Sequence, residues 1–397
     1  MLRLQIQQIH EERLAHGSRF HTEDAGLIVA IVSKKGGVGK TTTAVNLGAA
    51  LASQGRRVLL VDLDPQASSS LWLGVARARL APSTADVLLS DARLDSAIRP
   101  TRTRGLDLLT SSADLLQCER ELGARREPDV VLRQRLRAGV EARYDYVFID
   151  APAGLSMLTM NALVASDAFL VPVTPDFLAL EGLDNLLQAT ERIAFRNRVR
   201  LPCLGILLTK VDQRTRLSKD TAARIREQHG HRVFTTEIHG NVRIAEAPAF
   251  GQTIFEYDGQ SRSASDYRLL AVEVDLRRER HQAKAAQIAG GQAATVQAAT
   301  VQAARAQTAG VQTASLERSA EAGRHTAERR RPAAALAVEP PPGTEPAEAR
   351  PAEKMAPGKP LLPAAVESAR KADGADAEHD ERRSRPIWLR GLGGLAG

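Results

Sequence analysis

The sequence predicts an α/β protein, a doubly wound and mostly parallel sheet flanked by helices, followed by a long low-complexity tail. Three observations predict it. Between about residues 27 and 278, short aliphatic or β-branched runs alternate with longer helical patterns. The first of these runs leads straight into a glycine-rich turn that ends in Lys40 and Thr41. Beyond about residue 280 the alternation stops and repeats of alanine and glutamine take over.

In chain order, the expected strands are LIVAIVS (Leu27–Ser33), RVLLVDL (Arg57–Leu63), LDLLT (Leu106–Thr110), YVFID (Tyr146–Asp150), AFLVPV (Ala168–Val173), LGILLT (Leu204–Thr209) and HRVFTTEI (His231–Ile238). Several are continuously apolar, as strands covered on both faces should be. The composition supports this: 397 residues with 43% hydrophobic content can bury a large core. No apolar run approaches the roughly 18 residues that a membrane span needs. The N-terminus, MLRLQIQQIHEERLAHG, has no continuous signal-peptide core, so the expected location is the cytoplasm. The two cysteines, Cys118 and Cys203, stand far apart, which removes paired-cysteine metal, iron–sulfur and redox motifs and predicts buried, inert thiols. A net charge of +7 is compatible with a polyanionic partner, either nucleic acid or an anionic membrane.

The chemistry sits in SKKGGVGKTTTAVNLG, Ser33 to Gly48. A strand, a glycine-rich turn and a helix opening on Lys40-Thr41 form a cradle of backbone N–H groups for phosphates. In that arrangement Lys40 contacts the β- and γ-phosphates and the Thr41 hydroxyl holds Mg²⁺. The generic pattern would place a glycine at position 34, which here is Lys34, and a second lysine, Lys35, precedes the glycines.

With KGGVGKT in this form, the deviant Walker A motif, the sequence resembles the ParA/MinD family of P-loop ATPases. The resemblance extends through RVLLVDLDPQASSS, YDYVFIDAPAGLSMLTMNAL, GILLTKVDQRT and GNVRIAEAPAFGQTI, thus over about 27–275, and its wording is nearer the Soj-like ParA branch. It implies ATP and Mg²⁺ as ligands, with Lys35, Gly36, Gly37, Val38, Gly39, Lys40, Thr41 and Thr42 around the nucleotide. It implies that Lys35 reaches the nucleotide of a partner subunit in an ATP-dependent homodimer, which would place a cation on the transferring phosphates. Asp64 would position the attacking water, Asp62 would help order the metal site, and Asp150 would bind Mg²⁺ directly or through water. Where the family's switch segment has a second proline and a further glycine, this chain has Ala153 and Ser156.

The resemblance further implies non-specific DNA binding by the ATP-bound dimer, in a cytoplasmic and nucleoid-associated protein, with hydrolysis stimulated by a ParB-like or other cargo-adaptor protein. The matching basic positions are Arg214 and Arg243. Lys219, Arg224 and Arg226, on the helix expected after Arg214, widen the candidate patch. The family's IPRNVR reads IHGNVR here, with His239 and Gly240 in place of a proline and an arginine. Residues 1–26 form an extension too short for a helix-turn-helix domain. The tail, 279–397, repeats AATVQ at Ala293–Gln297 and Ala298–Gln302, then becomes rich in Ala, Glu, Arg and Pro, a composition expected to be disordered. It ends in RPIWLRGLGGLAG, an apolar peptide that keeps open a MinD-like, membrane-cycling alternative. Tyrosine-kinase relatives of the fold carry a tyrosine-rich tail, whereas Tyr144, Tyr146, Tyr257 and Tyr267 all precede this one.

Overall fold

The computed structural model describes residues 26–283, apart from 91, 141 and 142. The expectations for the N-terminal extension before residue 26, for the repeats and for the terminal apolar peptide lie outside the described residues.

Seven strands form one sheet: β1 (Leu27–Ile31), β2 (Val58–Asp62), β3 (Ile98–Pro100), β4 (Leu106–Leu109), β5 (Tyr146–Asp150), β6 (Ala168–Val173) and β7 (Cys203–Leu208). Their order across the sheet is β3-β4-β2-β5-β1-β6-β7, and every pairing is parallel except that of β3 with β4. The connecting helices are α1 (Lys40–Ser53), α2 (Ser68–Trp72), α3 (Thr84–Leu89), α4 (Leu94–Ala97), α5 (Leu115–Gly123), α6 (Val131–Val140), α7 (Met157–Ala165), α8 (Ala179–Asn197), α9 (Arg216–His229), α10 (Val242–Glu246) and α11 (Ile254–Asp258). A last helix, α12, covers 262–283 of the described residues.

The alternation of side chains along β1 divides the core in two. Leu27, Val29 and Ile31 pack with α1, Trp72, Ile254 and the Tyr267, Leu270, Ala271 and Val274 stripe of α12. Ile28, Ala30 and Val32 pack with apolar residues of α3 to α9 on the opposite face. Strands covered on both sides carry no polar face, which is why their sequences read as continuous apolar runs.

Six of the seven expected strands are present, and the sheet's seventh strand is a different one. The segment HRVFTTEI makes only an isolated bridge, Val233 with Ile206, and the residue after it, His239, makes another with Val211. Its ladder is broken because the N–H groups of Thr235 and Thr236 donate to the buried carboxylate of Glu273 on α12, at 2.9 and 3.0 Å, instead of to β7. The seventh strand is β3, three residues ending in proline that pair antiparallel with β4. It carries no apolar run of its own. Both cysteines are poorly accessible: Cys118 is fully buried, with its thiol pushed up to about 12 by burial, and burial raises Cys203 to about 11. Among the described residues, no helix is long and apolar enough to cross a membrane.

Candidate nucleotide site

The sheet order places β1 between β5 and β6, with β2 beyond β5, so that chain ends from several strands converge at one edge. There β1 runs into the turn from Ser33 to Gly39, and α1 begins at Lys40. Gly37 and Gly39 have φ of +74° and +90°, backbone that glycine adopts without strain. A Cβ added to Gly36 or Gly37 would meet nothing within 4 Å, so open space adjoins the backbone at these two positions. The turn is held through its carbonyl oxygens. Ser33 Oγ donates to Lys35 O at 2.7 Å, Thr209 Oγ1 to Val38 O at 2.7 Å, Lys210 Nζ to Gly37 O at 2.6 Å, and Gly154 N to Ser33 O at 3.0 Å. With those acceptors engaged, the N–H groups of the turn and of the α1 N-terminus are the binding groups that remain.

Lys40 is buried, and Thr41 and Thr42 are half-buried on the first turn of α1. The Lys35 side chain projects from the turn, 61% exposed, and its ammonium meets Asp176 Oδ2 at 2.6 Å. Beneath the turn, the parallel pairing of β2 and β5 sets Asp62 opposite Asp150, and both are fully buried. Asp62 Oδ2 accepts from Ser70 N and Oγ at 2.8 and 2.7 Å, and its Oδ1 from Asp64 N at 3.2 Å. Asp150 Oδ2 accepts from Ser69 Oγ at 2.7 Å. Burial raises both carboxyls. Asp62 is pushed up to about 8, with repulsion from Asp150 adding to the burial. Asp150 is pushed up to about 6, restrained by hydrogen bonds from Ser69 and Thr41 and by the charge of Lys40. Asp64 is half-buried at the mouth, its Oδ1 accepting from Gln66 N at 2.9 Å.

These residues suit a small hard cation. Asp150 Oδ1 is buried without a hydrogen-bond partner, which is a costly state that a cation would relieve. Among the described residues, no group of three or more His, Cys, Asp or Glu is arranged to hold a metal ion by itself. That fits Mg²⁺, which is held by one or two carboxylates together with substrate phosphates and water.

A cleft of about 440 Å³ continues from Gly39 and Thr42 between Thr209, Lys210, Ile238, His239, Gly240, Asn241, Trp72 and Tyr267. Thr209, Lys210, Asp176 and His239 are not among the sequence-predicted site residues. Asp176 follows β6, Thr209 and Lys210 follow β7, and His239 follows the segment 231–238; the local signals were the TKVDQRT wording after β7 and IHGNVR around His239.

The candidate basic residues have different surroundings. Arg214 is 91% exposed and forks onto Asp212, at 3.0 and 3.1 Å. Arg243 is exposed on α10, 3.3 Å from Glu246 and 3.8 Å from Asp258. Lys219 and Arg224 are exposed on α9. Arg226 is instead turned inward, donating to Phe234 O at 2.9 Å and to Glu237 Oε1 at 2.8 Å.

A parallel sheet wound on both faces, a glycine turn opening a helix, and carboxylates at the neighbouring strand ends define a P-loop nucleotide-binding protein. A family model described as an AAA domain matches residues 26–202. The chain is 43% identical over 260 residues to the chromosome partitioning protein ParA of Caulobacter vibrioides, covering 65% of this chain and 97% of that one. It is 42% identical over 249 residues to the sporulation initiation inhibitor protein Soj of Bacillus subtilis, covering 63% and 98%. Among solved structures, cobyrinic acid a,c-diamide synthase of Mycobacterium smegmatis with bound ADP and magnesium matches with a TM-score of 0.55 and 32% identity, over 62% of this chain and 92% of that one. The chain belongs to the ParA/Soj family of P-loop ATPases.

Proposed function

We propose that this protein is an Mg²⁺-dependent ATPase that dimerises on ATP, holds non-specific DNA as a dimer, and is released when a partner protein stimulates hydrolysis, so partitioning or positioning a cargo. The observation that carries this reading is Lys35. It is an exposed cation whose side chain projects from its own turn and pairs, among the described residues, with Asp176. An exposed ion pair contributes roughly 0–1 kcal/mol, so Lys35 can exchange Asp176 for the phosphates of a second subunit at little cost.

Lys40 and the N–H groups of Gly36 to Thr41 bind the β- and γ-phosphates, with Val38 and Thr42 completing the turn. Thr41 and Asp150 hold Mg²⁺, which supplies charge neutralisation on the phosphates. Asp62 braces this centre through Ser70 and the Asp64 backbone, and Asp64 orients the attacking water. Arg214 and Arg243, with Lys219 and Arg224 beside them, meet DNA phosphates in a salt-sensitive and sequence-independent way. Two such faces in one dimer bind together, so loss of the dimer is enough to release DNA. The relatives' names, chromosome partitioning protein and Soj, support this assignment, and on this reading the protein works on the nucleoid.

The deciding experiment is co-sedimentation of the purified full chain with duplex DNA and, separately, with anionic liposomes, under ATP, ADP and no nucleotide at fixed salt. Retention on DNA with ATP alone is the expected result. Retention on liposomes instead would replace this reading with a membrane-cycling one.

A further inference from the structure

Arg214 stands on the loop 210–215 and Arg243 on the first turn of α10, and the segments 210–215 and 239–243 that carry them are laced together at His239. Val211 and His239 form a parallel bridge, with Val211 N donating to Ile238 O at 3.0 Å and Gly240 N to Val211 O at 3.3 Å. The imidazole joins in from the side. Its Nδ1 lies 2.9 Å from Asp266 Oδ2 and its Nε2 lies 3.1 Å from Gln213 Nε2. The His239 backbone N–H also donates to Asp266 Oδ2, at 3.0 Å. Asp266 is 3% exposed on α12 and, as a carboxylate, can only accept. Its acceptance fixes the proton on Nδ1 and leaves Nε2 to accept from the Gln213 amide, the residue next to Arg214. The same ring, 4% exposed, lines the cleft that continues from Gly39 and Thr42.

We propose that His239 is a positioning residue. It holds the segments of Arg214 and Arg243 at one fixed spacing and ties that spacing to occupancy of the nucleotide cleft. This rests on the reading that the two arginines meet DNA. A duplex presents its phosphates at fixed intervals, so a pair of arginines engages both contacts only while their segments keep their separation. A ligand pressing on the cleft wall at His239 moves the hydrogen bond to Gln213, and with it the Arg214 loop.

The test measures, for each variant of the full chain, the affinity for ATP by calorimetry and the ATP-dependent affinity for a duplex by fluorescence anisotropy across a salt series. Measured at saturating ATP, His239→Ala should lose about tenfold in DNA affinity, with the salt slope reduced by about one phosphate contact. His239→Asn should recover only part of that loss, because its amide N–H stands where Nδ1 stood and keeps the bond to Asp266, while the shorter side chain gives up the one to Gln213. Unchanged DNA affinity in His239→Ala, while Arg214→Glu and Arg243→Glu lose theirs, would overturn the positioning role and leave the DNA-binding reading standing. Equal losses of ATP and DNA binding in both His239 variants would reduce His239 to a packing residue. Full DNA retention by the two arginine variants would remove the reading on which the proposal rests.

Discussion

The carboxyls of Asp62 and Asp150 are the most perturbed acidic groups beneath the nucleotide turn, and their perturbation has a sign. Burial raises both above the ordinary carboxylate range, to about 8 and about 6. The folded chain therefore keeps protons that the unfolded chain has already released, and stability is lost as pH rises. Without ligand, the melting temperature should fall by a few degrees between about pH 5 and 8, and Mg²⁺ with nucleotide should flatten that fall. A rise in melting temperature over this window in the ligand-free protein would show that the pair is ionised. The second residue-scale expectation concerns Lys40. Its removal in Lys40→Ala takes away one charge-assisted phosphate contact, worth about 1.5–3 kcal/mol, or roughly ten- to a hundredfold in affinity for ATP by calorimetry. Unchanged affinity would place the phosphates elsewhere. At this scale the site was legible where its residues are contiguous, in the glycine turn and the strand-end aspartates. Asp176, Thr209 and Lys210 were not, because only the sheet order brings the ends of β6 and β7 to the turn, and His239 was not, because its bridge to Val211 brings it there.

Among the elements, six strands announced themselves by apolar runs and two segments misled. HRVFTTEI has the composition of a strand, yet its amides are taken by Glu273, a competitor that lies 37 residues beyond Thr236 and leaves no local trace. β3 has no strand composition and exists because β4 offers it an open edge. The contact of the misread segment with β7 makes a testable point. Phe234 covers Gly205 so closely that an added Cβ would lie 2.3 Å from its ring. Gly205→Ala should therefore destabilise the fold by about 1–3 kcal/mol through overpacking, seen as a drop in the urea midpoint. A midpoint equal to the parent's would mean that the Phe234 ring can swing aside.

At the scale of the whole molecule, both core layers close among residues 27 to 274 of the described chain. A protein truncated after residue 283 should keep its unfolding midpoint within a few degrees and its stabilisation by Mg²⁺ and nucleotide. Loss of cooperative unfolding would show that later residues complete the core. The fold class and the α/β alternation were legible because both-face burial leaves continuous apolar runs, whereas the way the sheet terminates was not. That termination has a consequence for assembly. One margin of the sheet is β3, three residues ending in Pro100, which has no N–H to donate. The other margin, β7, is met by the segment from Val233 to His239, which bonds to Ile206 and Leu208 and, just past the strand, to Val211. Among the described residues neither flank offers a long row of vacant hydrogen-bonding groups, which opposes strand addition. Crowded copies of this chain therefore find no long sheet edge among the described residues along which to polymerise.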